Sequence, residues 1–207
     1  MTIERKFIED AKIKLSIANF LSKELSKAGF SRVEIQKTPV ITRITIYVLS
    51  PGRVIGRAGR TIDSITDTLK KNFKVDNPQL NVVEVENRML EPLLVAKNIA
   101  EKFERGINAR KVIQSTLKEI IDNGALGAEI IASGKLAAKG ARSKTIRKSV
   151  GYMPKSGDVV FLVREAVATA YPKYGAIGVK VRIVPPGTKF PDREAKQVEM
   201  PKAILNS

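Results

Sequence analysis

Apolar residues at Ile8, Ala11, Leu15, Ala18, Leu21, Leu25 and Ala28 recur at three- and four-residue spacing. That period predicts a helix with one apolar face, and Gly29 supplies its stop. The period then falls to two. Val33 and Ile35 alternate with Arg32, Glu34 and Gln36, ahead of Pro39. Ile44, Ile46 and Val48 alternate with Arg43, Thr45 and Tyr47. Both runs predict strands with one buried face. Ser50-Pro51-Gly52-Arg53 reads as a loop leading into Val54-Ile55-Gly56-Arg57-Ala58-Gly59-Arg60. Helical spacing resumes at Ile62, Ile65, Leu69 and Phe73. Asn77-Pro78 marks a turn, and Leu80 to Val85 reads as a strand.

Beyond this point Pro92 suits a helix start, Leu93, Ala96, Ala100 and Phe103 give its apolar face, and Gly106 ends it. Asn108 is placed to cap a further helix running to Asn123-Gly124. Strand-like runs follow at Ala128 to Ser133, Thr145 to Tyr152, Val159 to about Ala168, and Gly178 to Val184. In the third, Glu165 to Ala170 also permits a helix. From Pro185 onward the chain holds four of its ten prolines and few apolar residues. It reads as an extended tail that orders against a partner. The pattern divides the chain into 1–90, 91–184 and a tail at 185–207.

Charge changes the picture. Lys and Arg total 37 against 21 Asp and Glu, a net +16. Residues 1–90 carry 16 basic and 10 acidic side chains, and residues 91–207 carry 21 and 11, so both halves are basic. A polyanion partner is indicated. The 207 residues contain no Cys, His or Trp. Disulfides, thiol nucleophiles, Cys/His zinc sites and His-dependent triads are therefore excluded. No catalytic residue, metal or cofactor is expected. The charged start, Met1 to Asp10, has no apolar signal core, and no apolar run reaches membrane-span length. A cytoplasmic protein with no membrane partner is expected.

Three basic features stand out. Gly56-Arg57-Ala58-Gly59 opens an amphipathic helix, with Arg53 and Arg60 on either side. Glycines there let a sugar-phosphate backbone approach the peptide, and the helix N-terminus favours phosphate. A plain turn with solvent-facing Arg is the competing reading. Gly52 to Gly59 is not Gly-x-Gly-x-x-Gly, and Gly134-Lys135 is followed by Leu136, so neither nucleotide-binding fingerprint is present. The second feature is the run Ile130 to Gly157. It holds Lys135, Lys139, Arg142, Lys144, Arg147, Lys148 and Lys155 with no acidic residue. Such like charges repel unless a polyanion neutralises them, although a solvated basic loop has the same composition. The third is the helix after Asn108. Ala109, Val112, Ile113, Leu117 and Ile120 share one side, and Arg110, Lys111, Gln114 and Lys118 share another. With seven Phe and four Tyr, base stacking should not dominate binding. Phosphate contacts should.

The order helix–strand–strand–VIGRAGRTI–helix–strand resembles a type II KH domain, whose loop clamps about four backbone nucleotides. Ala132-Ser-Gly-Lys-Leu-Ala-Ala-Lys-Gly-Ala-Arg-Ser143 and Tyr174-Gly-Ala-Ile-Gly-Val-Lys-Val-Arg-Ile183 resemble two signature stretches of a ribosomal family. That family is the universal KH protein of the small ribosomal subunit, third by traditional numbering. The resemblance covers residues 5 to 190. Arg182, where bacterial members tend to carry Trp, and the Pro-rich end point to the archaeal and eukaryotic branch. The resemblance implies an α+β protein: a type II KH domain, then two helices on a four-stranded, mainly antiparallel sheet. It also implies a place in the head of the small subunit, on small-subunit rRNA beside neighbouring ribosomal proteins. Basic side chains would line the mRNA entrance and help unwind structured mRNA. Those positions match Arg110 and Lys111. A third basic position of bacterial members falls at Gln114 here, with Lys118 one turn later.

Two other classes compete. One is a free KH regulator of mRNA, which would not sediment with small subunits at high salt. The other is a lyase using the Lys135 amine on abasic nucleic acid, which borohydride would trap as a Schiff base.

Overall fold

The computed structural model describes residues 3–38, 41–73, 75, 77–136 and 142–191. Two compact units divide between Glu86 and Asn87.

The first unit runs α1 (Ile3–Glu24), β1 (Phe30–Lys37), β2 (Thr42–Val48), α2 (Pro51–Ile55), α3 (Arg60–Phe73) and β3 (Pro78–Glu84). The strand order is β1-β2-β3. β1 pairs antiparallel with β2, and β3 pairs parallel with it. A parallel neighbour requires a crossover, and α2 and α3 form it. Strict alternation in Thr42-Arg-Ile-Thr-Ile-Tyr-Val48 puts Ile44, Ile46 and Val48 in the core with Ile17, Leu21, Val54, Ile65 and Leu69. Pro78 opens β3, an outer strand where its missing N–H costs no ladder bond.

The helical period of α1 is real, but its predicted face is only partly the buried one. Leu21, Leu25 and Ala28 are buried, whereas Ile8 and Leu15 are 55% and 64% exposed. At about 100° per residue Ile8 and Leu15 lie roughly 180° and 160° around the helix axis from the buried Ile17, whereas Leu21 lies only about 40° from it. The sheet does reach this far, since Lys37 at the end of β1 pairs with Asp10 at 3.0 Å. The apolar spacing drifts around α1, and its N-terminal part points away from the sheet.

The second unit contains α4 (Pro92–Glu104), α5 (Ala109–Asp122), β4 (Gly127–Gly134), β5 (Lys144–Gly151), β6 (Arg164–Ala170) and β7 (Ile177–Val184). The four strands lie in the order β5-β4-β7-β6, all antiparallel. One face packs on α4 and α5. Its core joins Ile99, Phe103, Ile113, Leu117 and Ile120 to Ala128, Ile130, Val179 and Val181. The outer strands β5 and β6 are far more exposed than β4 and β7.

Three expectations need correction. Ser50 to Arg53 is not a loop: Pro51 starts the short helix α2, a position where Pro removes no needed donor. The run beginning at Val159 is not all strand. Asp158–Leu162 forms a 3-10 turn after Gly157, and the strand starts at Arg164. The helical option for Glu165 to Ala170 is not taken. The chain after Val184 does not simply leave the body as a tail. Phe190 is 8% exposed, clusters with Leu126 and Val184, and meets Tyr152 edge-on at 5.0 Å between ring centroids. Residues 192–207 of the expected tail lie outside the described residues.

Candidate nucleic-acid interface

In the first unit the site is a turn between two helices. α2 ends at Gly56, whose N–H donates to Gly52 O at 3.0 Å. Gly56 has φ +73° and ψ −174°, a region essentially restricted to glycine. A Cβ there would lie 2.1 Å from Thr61 Oγ1 and 2.8 Å from Thr61 Cβ. The backbone needs this glycine to fold onto the first turn of α3, before any ligand arrives. Ala58 and Gly59 follow in left-handed conformation, at φ +54° and +77°. Arg53, Arg57, Ala58 and Arg60 are exposed, and Gly56 and Gly59 half-buried. The result is three exposed arginines in or beside an open turn at the N-terminus of a 14-residue helix. Arginine forks suit phosphate, and the helix end adds favourable potential.

In the second unit the stripe on α5 is arranged as expected. Asn108 Oδ1 accepts the Arg110 N–H at 3.0 Å and caps the helix. Val112, Ile113, Leu117 and Ile120 are buried, while Arg110, Lys111 and Lys118 are exposed and Gln114 half-buried.

The basic run after Ile130 is divided by the sheet. Successive strand residues face opposite sides. Lys148 lies half-buried on the side of β5 that carries Ile146 and Val150. Arg147 faces the other side, where its Nε donates to Glu129 Oε1. Arg182 Nη1 reaches Glu129 Oε2 at 3.4 Å, and its Nε reaches Glu165 Oε2 at 3.0 Å. Lys180 also meets Glu165, at 3.0 Å. Hydrogen bonds from Lys180 first, then Arg182, hold the Glu165 carboxyl below its usual range. Arg147 thus serves a buried carboxylate, with the Glu129 side chain only 1% exposed.

Lys135, Arg142 and Lys144 are exposed and gather at the other end of β4 and β5. Lys139 lies outside the described residues. Arg142 and Lys144 share a cleft of about 670 Å³ with Arg110, so the second and third basic features meet there. Tyr174, which the charge pattern did not single out, completes the wall beside Ile107 and Leu136. Its only sequence signal was its place at the start of the second signature stretch.

Among the described residues no helix is long and apolar enough to cross a membrane. Comparison with protein families matches residues 4–90 to "KH domain" and residues 99–183 to "Ribosomal protein S3, C-terminal domain". The chain is 40% identical over 193 residues to "Small ribosomal subunit protein uS3" of Methanospirillum hungatei, covering 93% of this chain and 81% of that protein. It is 41% identical to the protein of that name from Methanothrix thermoacetophila, covering 93% and 69%. With that of Methanoregula boonei it is 37% identical, covering 100% and 91%. The two matched domains follow the two units in order, and the likeness runs through both. The chain belongs to the family of the small ribosomal subunit protein uS3 and is a constituent of the small ribosomal subunit.

Proposed function

We propose that this protein binds small-subunit rRNA in the head of the subunit, beside neighbouring ribosomal proteins, and presents the polar side of α5 to mRNA at its entrance. The observation that carries this reading is the division of α5. One side is sealed into the core, and Arg110, Lys111 and Lys118 stand free of it on the other. No packing role accounts for three cations on that side. A row of cations for which the described residues offer no ion-pair carboxylate attracts a phosphate backbone and holds it without reading its sequence. The GRAG turn of the KH unit provides a separate contact for a single strand. The protein acts by binding: phosphate neutralisation fixes it on RNA, and the α5 stripe grips the incoming strand as duplexes open.

The test is the double variant Arg110→Ala/Lys111→Ala assembled into ribosomes. Both positions are exposed, so folding stability should change by no more than about 0.5 kcal/mol. Translation of unstructured messages should proceed at the normal rate. Messages with a stable hairpin just downstream should slow. Equal slowing on both kinds of message indicates a general assembly defect; no slowing on either removes the stripe from unwinding.

A further inference from the structure

We propose that the cleft at the start of α5 holds one unstacked nucleotide of single-stranded RNA, its base against Tyr174 and its phosphate on Arg110, Arg142 and Lys144. The proposal rests on the RNA-binding reading above and adds a base-binding subsite to it.

Four observations support it. The cleft measures about 670 Å³, within the range of small-ligand sites and ample for a single nucleotide. Its lining is divided by chemistry. Tyr174, Ile107 and Leu136 give it apolar lining, three cations line it as well, and among the described residues no carboxylate does. A surface that only tracked a backbone would need the cations and not the apolar lining. Tyr174 and Leu136 are also anchored, since each is half-buried and packs against the core of the unit. The ring is therefore held in place before a base arrives, which lowers the ordering cost of stacking.

The fold also brings the cleft together from distant segments. Arg110 stands at the capped start of α5. Arg142 and Lys144 precede and open β5, and Tyr174 lies between β6 and β7. Gly134 pairs with Lys144 on one side and Ile177 on the other, which sets these two ends at one level across β4. Lys135 adds a fourth cation nearby, its Cδ 3.8 Å from where a Cβ on Gly175 would stand. A base inside a duplex is stacked on both faces and cannot enter, so the occupant is a nucleotide from a loop, bulge or single strand.

The experiment uses the full chain, ultraviolet crosslinking, and a short single-stranded RNA beside the duplex of the same sequence. Crosslinked peptides are read by mass spectrometry. The expected result is a Tyr174–base adduct with the single strand and none with the duplex. Tyr174→Leu should weaken single-strand binding roughly five- to a hundredfold, the range of one stacked base, and leave duplex binding unchanged. Tyr174→Phe keeps the ring and should restore it. In small subunits carrying a message, the adduct should also form, and the sequence of the attached RNA tells rRNA from mRNA as its source. Tight, salt-sensitive RNA binding without a Tyr174 adduct would overturn the base subsite and leave the RNA-binding reading standing. So would a duplex adduct of equal yield, or an unchanged affinity in Tyr174→Leu. Absence of any RNA binding by the full chain would overturn both.

Discussion

The two units carry their cations in different ways. In the KH unit, Arg53, Arg57 and Arg60 sit within one short stretch, and the turn that presents them is set by backbone conformation at Gly56, Ala58 and Gly59. In the second unit the corresponding surface comes from α5, the start of β5 and the β6–β7 connection, and only the folded sheet gathers them. A local site depends on a few torsion angles and fails when those are blocked. A gathered site spreads its dependence over many residues, and each single loss should cost less. The comparison also shows that a run of like charge is not automatically one surface. The turn keeps its three arginines together, whereas the strand sends Arg147 and Lys148 to opposite faces.

The largest expected effect breaks the local site at its backbone. Gly56→Ala places a methyl 2.1 Å from Thr61 Oγ1 at a φ/ψ pair that L-residues avoid. Unfolding of the KH unit should become easier by about 3 kcal/mol. Urea unfolding of the full chain, followed by amide exchange in β2 and β3, measures it. A change under about 0.5 kcal/mol would show that the turn can adopt another conformation, and the contrast between the two units would then fail.

Next comes the charge on that turn with its shape preserved. Arg57→Asp/Ala58→Asp puts two negative charges where phosphate should lie. Asp tolerates the left-handed conformation of Ala58 better than most residues. Stability should hold, while affinity for single-stranded RNA falls at least about tenfold. If the full chain neutralises about five phosphates, the log–log salt slope should be roughly −4, and losing Arg57 should make it shallower by about 1. Unaltered affinity and slope would remove the GRAG turn from the interface.

A third measurement sharpens the claim that the sheet divides the basic run. Lys144→Ala should weaken RNA binding severalfold and flatten the salt slope by roughly 0.7–0.9, with little effect on stability. Arg147→Ala should do the reverse. Among the described residues it leaves the buried Glu129 paired with Arg182, at a cost of about 1–2 kcal/mol, reduced because Arg147 is half-exposed and Arg182 remains. RNA affinity should be nearly unchanged. Paired titrations and melting curves separate the two variants. If both lose affinity equally and keep their stability, the run acts as one patch and the division is wrong.

How much of this was legible in the sequence follows from the range over which each feature is determined. Ile44, Ile46 and Val48, and the two sides of α5, could be read because the period alone assigns their faces. The α5 cap needed only Asn108. The GRAG spacing marks the turn and suggests close RNA approach for its first glycine; the contact with Thr61 belongs to the folded turn. Ile8 and Leu15 have helical spacing and still lie exposed, because three- and four-residue steps drift around the axis and leave them on the side opposite Ile17. Phe190 stands among prolines with no local period to mark it as core, since its partners Leu126 and Tyr152 are remote in sequence. The Glu129–Arg147–Arg182 network and the Tyr174 cleft depend on strand order β5-β4-β7-β6. No local pattern encodes that order.

The smallest expected effect tests whether charge, rather than shape, ties the outer face of the sheet together. Glu165 lies on β6 and takes hydrogen bonds from Lys180 and Arg182 on β7. Those bonds hold its carboxyl below its ordinary value of 4.5. A carboxyl with a depressed folded value stabilises the fold above its unfolded value, and that contribution is lost as pH falls through the folded one. Glu165 is exposed, so the contribution is no more than a few tenths of a kcal/mol. Glu165→Gln keeps the shape and removes the charge. The variant should melt slightly below the wild type at neutral pH, and the two curves should converge as the pH falls below 4.5. Added salt should narrow the same gap. Melting temperatures across that pH range, at low and high salt, measure both trends. A gap that persists unchanged into acid would mean that the carboxylate's hydrogen-bond geometry matters and its charge does not. Arg182 would then depend on Glu129 alone for its electrostatic hold, and the β6 edge would contribute nothing to keeping the cations of this face in place.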